Sequence, residues 1–176
     1  MPVDKMAVFV VKKYTRIAGE AKQTLRYNQN RPGKDEAKIT RTLWGWGGKI
    51  ERKDGYELID GAAYGSYFYR IILNFDPVKE DTYKDIYLRT VTEHTMKGLE
   101  GRLGTNFQFI AATHDDHKPL RHVHILAILP RRLNRDDLAI GRELVTEAAL
   151  QERRERDQIR EHQQKKGKEQ QWERER

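Results

Sequence analysis

The chain has 176 residues, 37% of them hydrophobic and 35% charged, a length that suits one well-cored domain and is short for two. It contains no cysteine, which excludes disulfide scaffolds, thiolate zinc sites, iron-sulfur clusters and cysteine nucleophiles, so any metal must be held by His, Asp or Glu. No apolar run is long enough to span a bilayer and no basic-then-apolar leader opens the chain, so a cytoplasmic protein without a membrane segment is expected, and the net charge of +7 favours a polyanionic partner.

Met6 to Val11 is a short β-branched and aromatic run that reads as a buried strand. From Ala18 to about Asn28 the pattern turns helical, with Ala21, Leu25 and Asn28 on one face, and Arg31-Pro32-Gly33 stops it. Residues 39–52 place β-branched and aromatic residues around a Gly-rich centre, as a hairpin or looped ribbon does. Tyr56 to Ala63 is expected as a short helix, and Tyr67 to Phe75 is the clearest strand, ended by Asp76-Pro77. A helix is predicted from about Tyr83 to Leu103, burying Ile86, Val91, Met96 and Leu99 and closing at Gly104. Phe107 to Thr113 and His122 to Leu129 are apolar strands joined by a polar connection, and they are expected to pair.

Beyond Asn134 the chain has helical propensity, with Leu138, Leu144, Val145 and Ala148 expected to dock on the sheet. After Leu150 only Ile159 and Trp172 are large and apolar, so residues 151–176 read as an exposed helix laced with charge pairs or as a frayed tail. Strands and helices mix without strict alternation. That order predicts an α+β domain over residues 1–150, a central, largely antiparallel sheet flanked by helices, followed by a charged helical or disordered extension over 151–176.

Four of the six histidines fall between His114 and His124. On a strand, residues two apart point to the same face, so His122 and His124 present two imidazoles about 7 Å apart at the backbone. His114, at the end of the preceding strand, comes round to supply a third nitrogen if the two strands form a hairpin. Three neutral imidazoles with no fourth protein ligand leave positions open for a phosphate or water, which suits catalysis. The blander reading of an H-x-H pair is two solvent-facing or hydrogen-bonded histidines. His117 lies in the connection itself and would only cover the site or touch substrate. Asp115 and Asp116 are placed to orient a ligating imidazole.

The segment His114-Asp115-Asp116 followed by His122-Val123-His124 resembles the metal motif of HUH-type conjugative and mobilisation relaxases. The paired histidines lie one residue further from the first than is usual in that family. LRYNQNRPG resembles the family's nucleophile segment and YFYRIILNFDP its central strand, so the likeness covers roughly residues 7 to 130. The resemblance implies a divalent ion, Mg2+ or Mn2+, on His114, His122 and His124, with Asp116 supporting a ligand or accepting the tyrosine proton. It also implies strand-specific DNA nicking by transesterification at a transfer origin, with Tyr27 as nucleophile and a 5′-phosphotyrosine intermediate. Single-stranded DNA would then be the partner, together with accessory relaxosome or coupling proteins.

Residues 1–60 carry 13 Lys+Arg against 8 Asp+Glu, whereas residues 61–150 carry 12 against 12. The basic surplus therefore accompanies Tyr27, between Arg26 and Arg31, where it would favour a phenolate and bind phosphates. Tyr14 is the rival nucleophile, and Tyr27 on its own could equally pack its ring on the sheet. Tyr67 and Tyr69 read as core or the floor of the site, and Tyr83 and Tyr87 as helix-face packing. Arg41, Trp44 and Trp46 have the basic and aromatic character of a single-strand groove, although both indoles would serve equally to anchor a hairpin. Lys118 and Arg121 flank the histidines and are candidate phosphate contacts. A rolling-circle replication initiator of the same superfamily and a non-catalytic nucleic-acid-binding domain are the alternative readings.

Overall fold

A computed structural model describes residues 7–116 and 120–174. In chain order it contains β1 (Val8–Thr15), α1 (Ala18–Asn30), β2 (Leu43–Gly45), β3 (Gly48–Ile50), α2 (Arg52–Asp60), β4 (Tyr67–Asn74), α3 (Leu88–Leu103), β5 (Gln108–His114), β6 (His122–Leu129) and α4 (Arg135–Arg174). The strands form a 6-stranded sheet in the order β1-β4-β6-β5-β2-β3, with every pairing antiparallel. The expected α+β class is the one observed. Among the described residues no helix is long and apolar enough to cross a membrane.

Alternation along the strands separates two cores. Tyr69, Ile71, Leu73, Phe109, Val123, Ile125 and Leu129 point to one face, where α3 and α4 cover them. Phe68, Ile110, Ala112, Leu126 and Ile128 point to the other, under Ala21 and Leu25 of α1 and Ile59 of α2. Each fully buried Leu, Ile or Phe here contributes about 1.5–3 kcal/mol by leaving water. Gly55 allows α2 to close on this second face, because a Cβ there would stand 2.7 Å from Leu25 Cδ2. By the same alternation His114, His122 and His124 belong to the α1 face.

Helix ends follow local chemistry. Glu51 and Asp54 form a reciprocal capping box that starts α2 at Arg52, four residues before the expected Tyr56. At α4, Asn134 Oδ1 accepts from the Asp137 backbone N–H, and Asp137 Oδ2 accepts from that of Asn134. Asp137 is also gripped by Arg131 and Arg102, and these guanidinium partners hold its carboxyl well below the usual range.

The helix expected from Tyr83 begins only at Leu88. Residues 76–87 are instead held by tertiary contacts that a helix would break. Arg121 grips Asp81 and donates to the Ile86 carbonyl, while Arg153 and Arg160 of α4 both bind Asp85. Tyr83 and Tyr87 are therefore not on a helix face; they lie exposed in this segment, under Arg160 and Arg156 respectively. These contacts also explain why α4 continues unbroken past residue 150, with Glu152 and Arg153 buried in the clasp, before running on exposed to Arg174.

Candidate metal centre

The triad is assembled by strand pairing. In the β5–β6 ladder His114 faces His122 and Ala112 faces His124, so three imidazoles gather at one end of the two central strands. Their ring centroids are 4.2 Å (His114 to His124), 5.0 Å (His122 to His124) and 5.3 Å (His114 to His122) apart. One nitrogen from each lies within 4.8 Å of the others, so the three could hold a metal ion. His114 and His124 are buried and His122 is half-buried.

Hydrogen bonding decides which nitrogens are available. His114 Nε2 lies 2.7 Å from the Asn28 carbonyl oxygen, and an N–H donated there leaves the lone pair on Nδ1. That Nδ1, like both ring nitrogens of His124, is buried with no hydrogen-bond partner. Buried polar atoms are seldom left so. Eight such side-chain atoms occur among the described residues, and seven belong to Asn28, Gln29, Arg70, His114 and His124, around the triad or in the helix end that touches it. This donor set fits an ion: neutral, convergent nitrogens, one of them oriented by a carbonyl on its far side.

Burial pushes the His114 imidazole down to about 4, against the opposing pull of the Asn28 carbonyl, with Arg41 and His122 lowering it further. Burial also takes His124 down to about 2, helped by the neighbouring His114, His122, Arg70 and Arg31. His122 is lowered as well, again mainly by burial. All three are therefore neutral at pH 7, the form that ligates.

The Asn28 carbonyl belongs to the last turn of α1, the turn that also carries Tyr27. Tyr27 is 44% exposed, and its ring packs under the Arg70 guanidinium, 4.9 Å from the centroid. Tyr14 pairs with Tyr69, three rungs from the Ile72–His124 pair, and its ring stacks with Tyr67 and Tyr69 on the opposite face of the sheet. The geometry thus separates Tyr14 from the histidines. Tyr69 is core, its hydroxyl accepting from the Leu133 backbone N–H, so neither it nor Tyr67 forms a floor to the triad.

Several expected contacts have other partners. Asp116 does not orient His114, a task the Asn28 carbonyl performs; both its oxygens accept from Arg41 Nη2, at 2.7 and 2.8 Å. Arg41 is buried and also donates through Nη1 to the Arg31 carbonyl, so it is a structural tie and not a free phosphate contact. Arg121 is likewise committed to Asp81. Trp44 is 7% exposed and packs edge-on against Phe109; Trp46 also meets Phe109 and donates Nε1–H to the Phe107 carbonyl. Both indoles anchor the β2–β3 hairpin to the core, so no face of Trp44 remains for a base. Arg31 is half-buried near His122 and His124, and Arg26 is exposed on α1. His117 and Lys118 lie outside the described residues.

Two residues outside the sequence-based set stand at the site. Asn28 is 1% exposed with both atoms of its amide unpartnered, and its place on the buried stripe of an amphipathic helix was the available signal. Arg70 is the charge within the apolar run YFYRIILNF, a second signal of the same kind. Comparisons of the chain with protein-family models, curated proteins and solved structures find no match.

Proposed function

We propose that the protein is a metal-dependent DNA-nicking transesterase of the HUH relaxase kind, cutting one strand at a transfer origin and retaining its 5′ phosphate on Tyr27. The observation that carries this reading is the 2.7 Å contact between His114 Nε2 and the Asn28 carbonyl, which couples the three-imidazole cluster to the helix turn bearing the tyrosine. A binding module would have no use for buried imidazole nitrogens left without partners. A metal hydrolase of small molecules would need no tyrosine on the helix turn whose carbonyl contacts a ligand.

A divalent ion held by His114, His122 and His124 would draw charge from the scissile phosphate as the pentacoordinate state forms. Three neutral nitrogens without a carboxylate favour Mn2+ over Mg2+, the harder ion. The Tyr27 oxygen attacks phosphorus in line, a P–O bond to tyrosine forms, and the P–O3′ bond breaks. The phenolic proton passes to solvent, because Asp116 is neutralised by Arg41, and the departing 3′ oxygen takes a proton from water. One phosphodiester replaces another, so the step needs no nucleotide and reverses for rejoining. The half-buried Arg31 supplies positive charge toward the DNA backbone.

The test uses single-stranded oligonucleotides tiled across the DNA flanking the protein's own gene, with Mn2+ present, and scores covalent adduct on denaturing gels. Adduct formation that vanishes in Tyr27→Phe and with chelator is expected. An adduct that persists in Tyr27→Phe, or none on any tile from protein with Mn2+ bound, overturns the reading.

A further inference from the structure

Arg70 lies on β4 opposite Leu126, while Ile72 lies opposite His124, so Arg70 is a diagonal neighbour of His124 on the α1 face. Its guanidinium covers the Tyr27 ring at 4.9 Å from the centroid. The side chain therefore starts one diagonal step from His124 and ends over the Tyr27 ring. Its Nε is buried without a hydrogen-bond partner, and among the described residues no carboxylate pairs with it. Two other buried or half-buried guanidiniums of the fold are, by contrast, neutralised by carboxylates: Arg41 by Asp116 and Arg121 by Asp81.

An unpaired, part-buried cation is costly to keep, and costlier beside a site that attracts a second cation. A ligand carrying negative charge removes both penalties. A phosphodiester has one anionic charge over two non-bridging oxygens, and the guanidinium fork matches two such oxygens where an ammonium matches one. We propose, resting on the nicking reading above, that Arg70 is a catalytic residue that binds the non-bridging oxygens of the scissile phosphate and stabilises their charge as the Tyr27 oxygen attacks. Arg70 thus forms the anion-binding half of the site, and the neutral imidazole cluster the cation-binding half.

The experiment compares wild type, Arg70→Ala, Arg70→Met and Arg70→Lys as full chains. Arg70→Met keeps the apolar stem and guards against a folding defect in Arg70→Ala, and calorimetric Mn2+ affinity no weaker than wild type confirms an intact triad. Adduct formation is timed on the cleaved oligonucleotide and on the same oligonucleotide with a neutral methylphosphonate at the scissile position. Expected is a loss of about 100-fold or more for Arg70→Ala and Arg70→Met on the phosphodiester, with little recovery in Arg70→Lys. On the methylphosphonate the gap between wild type and these variants should shrink below about tenfold. An equal loss on both substrates, or no loss on the phosphodiester, overturns the proposal. If wild type forms no adduct, the nicking reading fails separately, and binding to a short oligo-dT against salt decides on Arg70. A slope shallower by about 0.7 in Arg70→Met keeps the phosphate contact, and an unchanged slope ends it.

Discussion

Arg41 separates two accounts of the same basic residue. As a DNA contact it would be dispensable for folding; as observed, it ties the end of α1 to the end of β5. One guanidinium makes three contacts, Nη2 to both Asp116 oxygens at 2.7 and 2.8 Å and Nη1 to the Arg31 carbonyl at 2.7 Å. The side chains are only 6% and 17% exposed. Breaking a fully buried pair costs about 3–5 kcal/mol, and hydrogen bonds to charged groups contribute about 1.5–3 kcal/mol. Asp116 retains some access to water, so Arg41→Ala should lose about 2–3 kcal/mol. For a domain of this length that lowers Tm by roughly 5–10 °C.

The tie also fixes the turn that carries Tyr27 and the carbonyl 2.7 Å from His114 Nε2, so on the nicking proposal it bears on the reaction. Arg41→Ala should therefore slow adduct formation while leaving the salt slope of single-strand binding unchanged. Urea unfolding of Arg41→Ala, Asp116→Asn and the double variant gives the coupling energy directly. Stability within about 0.5 kcal/mol of wild type, with a salt slope shallower by about 0.7, would refute the tie and restore Arg41 as a phosphate contact.

Three further outcomes follow from the same contacts. His124→Leu removes two unpartnered buried nitrogens, so the metal-free protein should gain about 1–2 kcal/mol while the Mn2+-induced rise in Tm disappears; a less stable metal-free variant contradicts this. Folding holds His114 near 4 and His124 near 2 against 6.5 for an exposed imidazole, so below pH 6.5 the unfolded chain binds protons that the folded one refuses. In chelator the stability contributed by these histidines is whole above pH 6.5 and declines as pH falls toward 4, and urea midpoints that stay flat between pH 7 and pH 5 refute it. Trp46→Phe removes the Nε1–H bond to the Phe107 carbonyl and should cost about 1 kcal/mol with single-strand affinity unaltered; a loss of affinity without loss of stability would return that indole to the DNA.

The strands and the H-x-H pair were legible because they rest on local rules. β-branched and aromatic runs mark β1, β4, β5 and β6, and the period of two places His122 and His124 on one face. The start of α2 was missed by four residues, because Glu51 is not among the residues that usually cap a helix and its reciprocal bond with Asp54 is seen only in the structure. Residues 76–87 were not legible, because Asp81, Asp85 and Ile86 are held by Arg121, Arg153 and Arg160 from distant parts of the chain. Asp116 misled for a related reason. Its nearness in sequence to His114 suggested a partner, but its carboxylate is taken by Arg41, 75 residues away. The two tryptophans carry the composition of a stacking platform, and only the position of Phe109 on the adjoining strand decides that they face inward.

What distinguishes the site from the rest of the molecule is the contrast in how buried polar groups are treated. Glu80 is fully buried, yet its two oxygens accept from the backbone N–H groups of Ala7 and Asp76. Glu100 receives the Phe107 backbone N–H and Lys97, Asp137 receives two arginines and a backbone N–H, and Glu152 receives the Tyr87 backbone N–H and Arg156. These buried carboxylates, whose role is structural, are matched with partners. Around the triad the buried polar groups are not: Asn28, Arg70, His114 and His124 all keep unmet donors or acceptors at one end of the central strands. Such a concentration of unmet polar groups lowers the stability of the metal-free fold, and a metal ion and a phosphate would satisfy them together. The stabilised His124→Leu variant and the methylphosphonate substrate test the two halves of that statement independently.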